Sequence, residues 1–221
     1  MSQTWFHYRG SVSDPQILLI GGPPGAGKST LARAVATDLE WRWIPGDSLV
    51  NAMRGVTTDE SHPALHVAAG GRHVEYFTEG PPEKLIADAR ALQETAWPGF
   101  AHVIRFHAKY GPSVVIESWT FSPYNVAALR LDNVRAVWIV IDLDVLDDRE
   151  EPPPGYVDPS PDPERRRTNF RHRSAWTNSF VEEAATRLDL PILRQDGTQS
   201  VADHVAAIRE LTGAVIDPPR A

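Results

Sequence analysis

A glycine-rich segment near the start of the sequence has the spacing of a phosphate-binding loop. Residues 22–29 read Gly-Pro-Pro-Gly-Ala-Gly-Lys-Ser and fit the pattern G-x-x-x-x-G-K-[ST] without a mismatch. In this pattern, backbone N–H groups surround phosphate oxygens, the lysine binds the outer phosphates and the hydroxyl binds Mg²⁺. The motif predicts a nucleoside triphosphate site, with Lys28 as a catalytic residue and Ser29 as a magnesium ligand. The predicted nucleotide-binding residues are Gly22, Pro23, Pro24, Gly25, Ala26, Gly27, Lys28, Ser29 and Thr30.

The elements around this loop alternate between strand and helix. Apolar runs predict strands at residues 16–20, 43–44, 113–117, 136–141 and 190–193. Helical spacing follows the loop from Lys28 and recurs at residues 83–96, 123–131, 164–188 and 200–211. This alternation is typical of an α/β fold with a mostly parallel sheet covered on both faces, in which ligands bind beyond the carboxyl ends of the strands.

Composition excludes several classes of protein. The chain has 221 residues, 22 Lys and Arg against 29 Asp and Glu, and a net charge of −7, which disfavours a nucleic-acid partner. Zero cysteines exclude disulfides, thiolate metal sites and cysteine nucleophiles. No apolar run reaches membrane-spanning length, and residues 1–9 lack the pattern of a signal peptide, so we expect a cytoplasmic protein without a membrane partner. The N-K-x-D and D-x-x-G motifs of regulatory GTPases are also absent from the sequence.

From residue 16 to residue 211 the chain resembles the P-loop kinases of small molecules. This group includes nucleoside-monophosphate, shikimate and gluconate kinases, chloramphenicol phosphotransferase, 2-phosphoglycerate kinase and zeta-toxin-type kinases. The 2-phosphoglycerate-kinase-like group is the nearest likeness, through residues 114–117 and the segment from Asn169 to Trp176. The sequence departs from that group at residues 117–119, where Glu-Ser-Trp stands in place of Glu-Gly-Val.

The resemblance implies a P-loop NTPase fold in one domain over residues 1–221, with ATP and Mg²⁺ as cofactors. A five-stranded parallel sheet would carry helices on both faces. The other implied segments are an N-terminal extension at 1–15, a helical substrate-binding insert at 48–110 and an arginine-bearing lid at 149–175.

Two acidic residues gain candidate roles from the resemblance. Asp47 follows the second strand, where the resembling kinases place an aspartate opposite the γ-phosphate, either as general base or in the magnesium shell. Its alternative is an N-cap of a short helix. Glu117 ends the third strand and is predicted to reach Mg²⁺, directly or through water, or to touch the acceptor. A capping or salt-bridge role is the alternative for Glu117.

Five arginines follow the proline-rich segment 151–163, where the resemblance places the lid. Arg166 and Arg173 share one helical face and are predicted catalytic residues that add positive charge in the transition state. A solvated helix paired with Glu164 or Asp162 is the alternative. Arg149, before the prolines, is a further candidate.

Three other residues are predicted to bind the acceptor. Arg54 lies two helical turns after Asp47 and would bind an anionic group, although a surface arginine fits the spacing nearly as well. Trp119 and Tyr124 would stack on the acceptor, and Phe121 between them is as compatible with the core.

Several residues remain open between two readings. Asp142 and Asp144 suit a shared metal or a turn, residues 194–198 suit an adenine-binding segment or a turn, and the insert histidines are weak acceptor contacts. These histidines are His62, His66 and His73. The overall hypothesis is an ATP- and Mg²⁺-dependent kinase that phosphorylates a hydroxyl or phosphate of a small molecule. The alternatives are an ATP-hydrolysing binding or regulatory protein and a kinase of nucleic-acid 5′-hydroxyls.

Overall fold

A five-stranded parallel β-sheet forms the centre of the protein in a computed structural model that describes residues 16–150 and 159–214. Its strands are β1 (Ile17–Gly21), β2 (Arg42–Pro45), β3 (Val114–Ser118), β4 (Val134–Ile141) and β5 (Ile192–Gln195). They lie in the order β2-β3-β1-β4-β5. The predicted α/β class and five-stranded parallel sheet are confirmed.

Helices cover both faces of this sheet. They are α1 (Lys28–Asp38), α2 (Gly46–Gly55), α3 (Pro63–His66), α4 (His73–Glu79), α5 (Pro82–Tyr110), α6 (Pro123–Ala127), α7 (Leu143–Glu150), α8 (Pro163–Arg187) and α9 (Val201–Thr212). One core cluster joins α5, α8 and one sheet face, and a second joins α1, α9 and the opposite face. Helices α2 to α5 form the predicted insert between β2 and β3.

The largest difference from the predicted elements is the length of α5. The prediction ended this helix at Ala96, whereas α5 continues through Pro98 to Tyr110. Phe100 and Ile104 extend the stripe of buried residues that begins at Leu85 and includes Ala96, and their burial outweighs the proline as a stop signal. Helix α6 is shorter than predicted and ends at Ala127.

The predicted lid falls partly outside the described residues. Residues 151–158, with three of its prolines, lie outside them, as does the predicted N-terminal extension 1–15. The described part from residue 159 leads directly into α8, which packs on α4. Asn169 of α8 donates to the carbonyls of Phe77 and Gly80, so the start of α8 is fixed to the insert.

The middle of α8 is fixed to the sheet by Asn178. Its Oδ1 accepts from Ile141 N at 3.0 Å and its Nδ2 donates to Ile141 O at 3.0 Å. The amide therefore satisfies both backbone polar groups at the end of β4, as a neighbouring strand would.

No helix within residues 16–150 and 159–214 is long and apolar enough to cross a membrane.

Asn178→Ala should destabilise the protein by about 2–4 kcal/mol, because it leaves a buried N–H and a buried C=O without partners. Denaturant unfolding followed by circular dichroism measures this loss. Ser179→Ala, at the adjacent exposed position, is the matched control and should stay within about 0.5 kcal/mol of wild type. An Asn178→Ala variant as stable as the control would contradict this role.

Candidate active site

The phosphate loop connects β1 to α1 and leaves the start of that helix open. Gly25 and Gly27 have φ angles of +81° and +78°, in the left-handed region that favours glycine. Gly27 occupies the N-cap position of α1, and no side chain caps the helix. The first N–H groups of α1 are thus available to an anion, and the loop fits a bound triphosphate.

Lys28 is buried inside this loop. Its Nζ donates to the carbonyl of Pro23 at 2.7 Å, and its exposed fraction is 7%. Burial lowers the pKa of Lys28 to about 8, while the charges of Glu117 and Asp47 oppose this shift and that of Arg173 adds to it. Three other predicted catalytic residues thus influence the pKa of Lys28, namely Glu117, Asp47 and Arg173.

Glu117 and Ser29 form a pair of oxygen ligands next to Lys28. Ser29 Oγ donates to Glu117 Oε1 at 3.0 Å. Burial raises the pKa of Glu117, and Lys28 and the Ser29 hydrogen bond counteract that rise. A hydroxyl and a carboxylate suit Mg²⁺, which also takes ligands from substrate phosphates and water. No three His, Asp or Glu side chains converge on a metal site in the described part of the chain, so these two residues would be its main protein contacts.

Asp47 lies in the first turn of α2, next to the end of β3. The helix begins this close because Gly46 has no side chain: a Cβ there would lie 2.4 Å from the carbonyl oxygen of Glu117. Pro45 holds the N-cap position and Asp47 makes no capping bond, so the alternative of an N-cap role for Asp47 is wrong. Its exposed carboxylate influences the pKa values of Lys28, Glu117 and Arg54, which agrees with its position at the start of α2, beside β3.

The arginines at the start of α8 divide between different surroundings. Arg173 is buried, with its guanidinium 4.5 Å from the ring centre of Phe77, 4.8 Å from that of Trp119 and 5.2 Å from that of Phe170. Arg166 lies two helical turns before Arg173 on the same face of α8. Burial lowers the pKa of His73, and the charges of Arg173 and Arg166 lower it further. Only Arg173 of these two contributes to the pKa of Lys28.

Arg171 instead pairs with α7. Its Nε lies 3.1 Å from Asp147 Oδ1, so this arginine links α8 to α7. The backbone N–H of Arg165 donates to Asp162, which caps α8. Arg171 thus pairs with Asp147 rather than with the predicted Glu164 or Asp162, and the bond from Arg165 to Asp162 is made by its backbone.

A second cleft lies on the other side of the phosphate loop. Gln195, at the end of β5, donates through Nε2 to the carbonyl of Ala26 at 2.8 Å. An Nη of Arg149 lies 3.3 Å from the position that a Cβ on Gly27 would take. Both residues line this cleft with Thr30, in the place expected for the nucleoside. Gln195 belongs to the predicted adenine-binding segment 194–198. Its position at the end of β5 is what distinguishes it from the other residues of that segment.

The remaining acceptor candidates lie in different places. Arg54 and Trp119 line a cleft inside the insert, together with Arg173. Tyr124 does not line that cleft; its ring centre lies 6.3 Å from that of Phe180 on α8, because α6 directs it toward α8. An acceptor contact by Tyr124 stays a prediction. Phe121 is fully buried in the core.

Other candidates of the sequence have structural surroundings. Asp142 and Asp144 are exposed at the start of α7, and within the described residues they form no metal cluster. His66 contacts Thr57 at 3.0 Å and Asp59 at 3.3 Å. These contacts hold the α2–α3 connection. His62 bonds to the neighbouring Ser61, and the ring of His73 packs against that of Phe77 at an angle of 56°.

The sheet order and the phosphate loop define a P-loop nucleotide-binding fold. The chain belongs to the chloramphenicol phosphotransferase-like protein family, whose sequence model matches residues 15–170. The predicted resemblance to P-loop kinases of small molecules is therefore confirmed.

Two curated relatives are named 2-phosphoglycerate kinase. One from Pyrococcus furiosus is 31% identical over 116 residues, which are 51% of this chain and 37% of the relative. One from Pyrococcus horikoshii is 38% identical over 114 residues, which are 51% of this chain and 38% of the relative. The chain therefore matches less than two-fifths of the length of these relatives.

Solved structures share the fold. A gluconokinase from Sinorhizobium meliloti 1021 has a TM-score of 0.52 and 18% identity, with 90% of this chain and 94% of that chain covered. A sugar kinase from Janibacter sp. HTCC2649 has a TM-score of 0.52 and 15% identity, with 89% and 94% covered.

The pKa of Lys28 predicts a pH dependence of triphosphate binding. Because a triphosphate favours the charged amine, affinity for ATP should be constant below about pH 8 and fall by up to about tenfold per unit above it. Titration calorimetry between about pH 7 and 9.5 measures this profile. Lys28→Met should bind ATP weakly and lose the pH dependence. A wild-type affinity that is unchanged across the range would refute the assignment.

Proposed function

We propose that this protein is an ATP- and Mg²⁺-dependent kinase that transfers the γ-phosphate to a hydroxyl or phosphate of a small molecule. One observation carries the proposal: α2 begins at Gly46 and Asp47 against Glu117, which bonds to Ser29 of the phosphate loop, and the same helix extends to Arg54, which lines a cleft inside the insert. A site that only hydrolysed or sensed ATP would need no such cleft. The names of the two 2-phosphoglycerate kinase relatives and the family membership support a kinase.

The donor would bind through the loop and the start of α1. Backbone N–H groups of the loop and Lys28 would neutralise the phosphates, and Arg149 and Gln195 line the cleft for the nucleoside. Ser29 and Glu117 would hold Mg²⁺, directly or through water. Bound Mg²⁺ supplies positive charge that stabilises the phosphoryl group during transfer.

Asp47 would act as the general base for a hydroxyl acceptor. It accepts the hydroxyl proton while the acceptor oxygen forms a bond to the γ-phosphorus and the bond from that phosphorus to the bridging oxygen breaks, which releases ADP. Lys28 and Arg173 would balance the charge on the transferred group, and the charge of Arg173 already acts on Lys28. Positioning and charge neutralisation supply most of the rate in this type of reaction.

Asp47→Asn should lower kcat by about 10²–10⁴-fold and leave ATP affinity within about twofold, because it removes the base without altering the phosphate loop. The assay detects phosphorylated products by ³¹P NMR across a metabolite panel that includes 2-phosphoglycerate and chloramphenicol. Ser48→Ala, at the next exposed position of α2, is the matched control and should behave as wild type. Lys28→Ala should abolish nucleotide use.

The proposal fails if wild type binds ATP-Mg²⁺ but phosphorylates nothing in the panel. Release of ADP without a phosphorylated product would then favour an ATP-hydrolysing regulatory protein. Transfer to nucleic-acid 5′-hydroxyls, with a steep loss of activity as salt rises, would favour a nucleic-acid kinase.

Glu117→Gln tests the magnesium site separately. It should raise the Mg²⁺ concentration for half-maximal activity by about 10–100-fold, since an amide is a poorer ligand than a carboxylate. Thermal unfolding without ligands should show at most a modest loss of stability, because the substitution removes the cost of burying the Glu117 charge but also its attraction to Lys28. An unchanged Mg²⁺ requirement would exclude Glu117 from the metal site.

A further inference from the structure

A buried glutamine at the end of β5 bonds to the phosphate loop. Gln195 Nε2 donates to the carbonyl oxygen of Ala26 at 2.8 Å, although the two residues are 169 positions apart in the sequence. The exposed fraction of Gln195 is 3%, and Ala26 is fully buried. Among the residues that the structure describes, Gln195 is the only donor to this carbonyl. Because a buried carbonyl needs a partner, this bond fixes the direction in which the Ala26 carbonyl points.

The sheet holds Gln195 in place beside the loop. Asp142 N donates to Gln195 O at 3.0 Å, and Gln195 pairs with Ile141 of β4. Leu193, two residues earlier on the same face of β5, packs in the core that joins the sheet to α1 and α9. A carbonyl oxygen only accepts hydrogen bonds, so the nitrogen of the Gln195 amide must face Ala26. The donor thus has a fixed position and a fixed orientation.

The direction of the Ala26 carbonyl determines where the next N–H group points. The peptide bond between Ala26 and Gly27 is trans, and a trans peptide is planar with its C=O and N–H bonds in opposite directions. The N–H of Gly27 therefore points away from Gln195. Within the described residues this N–H has no hydrogen-bond acceptor. An unbonded N–H next to Lys28 is available to a phosphate oxygen.

The backbone at Gly27 does not set this orientation by itself. Gly27 has a φ angle of +78°, and a glycine accepts either orientation of the peptide that precedes it. A Cβ at this position would lie 3.7 Å from Gln195 Nε2, so the amide of Gln195 lies against the glycine. Glycine allows the loop to curve, and the bond from Gln195 selects one of the two peptide orientations that glycine permits.

A second role is conceivable for Gln195, because it also lines the cleft for the nucleoside with Arg149 and Thr30. Gln195 would then bind the base or the ribose directly. The two roles affect different parts of the donor. A contact with the nucleoside affects only ligands that contain one, whereas the orientation of Gly27 affects every ligand with a triphosphate chain.

We propose that Gln195 is a positioning residue, which holds the Ala26 carbonyl and so orients the N–H of Gly27 toward the phosphate chain of the donor. The proposal rests on the proposed kinase function and adds to its donor site a residue that lies outside the phosphate motif. The bond exists within the protein itself, so the N–H needs no reorientation when phosphate binds.

Inorganic tripolyphosphate with Mg²⁺ tests this role, because it has the phosphate chain without a nucleoside. Titration calorimetry with the full chain measures its affinity beside that of ATP. Gln195→Met has nearly the same length but no donor, and it should bind both ligands about 10–100-fold more weakly, the loss expected for one hydrogen bond to a charged group. Gln199→Met makes the same substitution at an exposed position of the same cleft, without a bond to the loop, and should bind tripolyphosphate as wild type does.

Gln195→Glu keeps the shape of the side chain and reverses its hydrogen bonding. An ionised carboxylate cannot donate to the Ala26 carbonyl but can accept from the N–H of Gly27, so it favours the opposite orientation of the peptide. Tripolyphosphate should therefore bind this variant more weakly than Gln195→Met.

The NMR signal of the Gly27 amide proton reports the orientation directly. It should move downfield when tripolyphosphate binds to wild type, as an N–H that donates to phosphate does, and the movement should be smaller in Gln195→Met saturated with ligand. A loss of stability alone would not change this signal in the folded protein.

Similar losses for tripolyphosphate and ATP, together with the smaller movement of the Gly27 signal, support the proposal. A loss confined to ATP would assign Gln195 to the nucleoside and overturn it, as would wild-type affinity for tripolyphosphate in both variants. If Gln195→Met does not fold, Gln195→Glu takes its place in each comparison, and the absence of a downfield movement in wild type overturns the proposal without any variant.

The same measurements separate this role from the kinase function. Binding of tripolyphosphate that depends on Gln195, without phosphorylation of any acceptor, would leave the positioning role intact while the kinase proposal fails. Phosphorylation by a protein whose tripolyphosphate affinity does not depend on Gln195 would have the opposite meaning. If wild type binds neither tripolyphosphate nor ATP, both proposals are wrong.

Discussion

The burial of Lys28 is the constraint on which the arrangement of the site depends. An ammonium group taken out of water is destabilised, and the lowered pKa of Lys28 reflects this cost. The carbonyl of Pro23 and the carboxylates of Glu117 and Asp47 offset it in the absence of ligand. A triphosphate would add further negative charge beside Lys28. The same burial that destabilises the charged amine in the empty loop would therefore favour its pairing with phosphate.

The order of the strands brings those carboxylates to Lys28. Because β3 lies between β1 and β2, the residue that ends β3 is next to the strand that leads into the phosphate loop. Register confirms this, since Glu117 pairs with Ile20 on one side and with Pro45 on the other. Asp47 follows Pro45 by two residues, and Gly46 allows α2 to start against β3 without a clash. Sheet topology and one small residue thus place both acids.

The residues around the phosphate loop could be placed from the sequence, whereas those that line the cleft inside the insert could be placed only in part. Lys28 and Ser29 belong to a local motif. Glu117 is the penultimate residue of β3 and Asp47 follows β2 by two residues, so spacing and strand order indicate the positions of both acids. The cleft inside the insert combines side chains as far apart in sequence as Arg54 and Arg173. No local pattern specifies such a meeting, because it depends on how α2 and α8 pack. Tyr124 is close to Trp119 in sequence, but it lies beside Phe180 and is not among the residues that line the same cleft. Proximity in sequence is therefore a poor guide to this cleft.

Helix α8 relates the two halves of the site. Asn169 ties its start to the carbonyls of Phe77 and Gly80, and Asn178 ties its middle to the end of β4. Arg173 lies between these two anchors and is enclosed by aromatic rings from three elements. Its charge is therefore fixed relative to both the sheet and the insert. Arg173 influences the pKa of Lys28 and also lines the cleft inside the insert. In the proposed reaction a mobile lid arginine would have to become ordered during each turnover, whereas the fold already holds Arg173 in place.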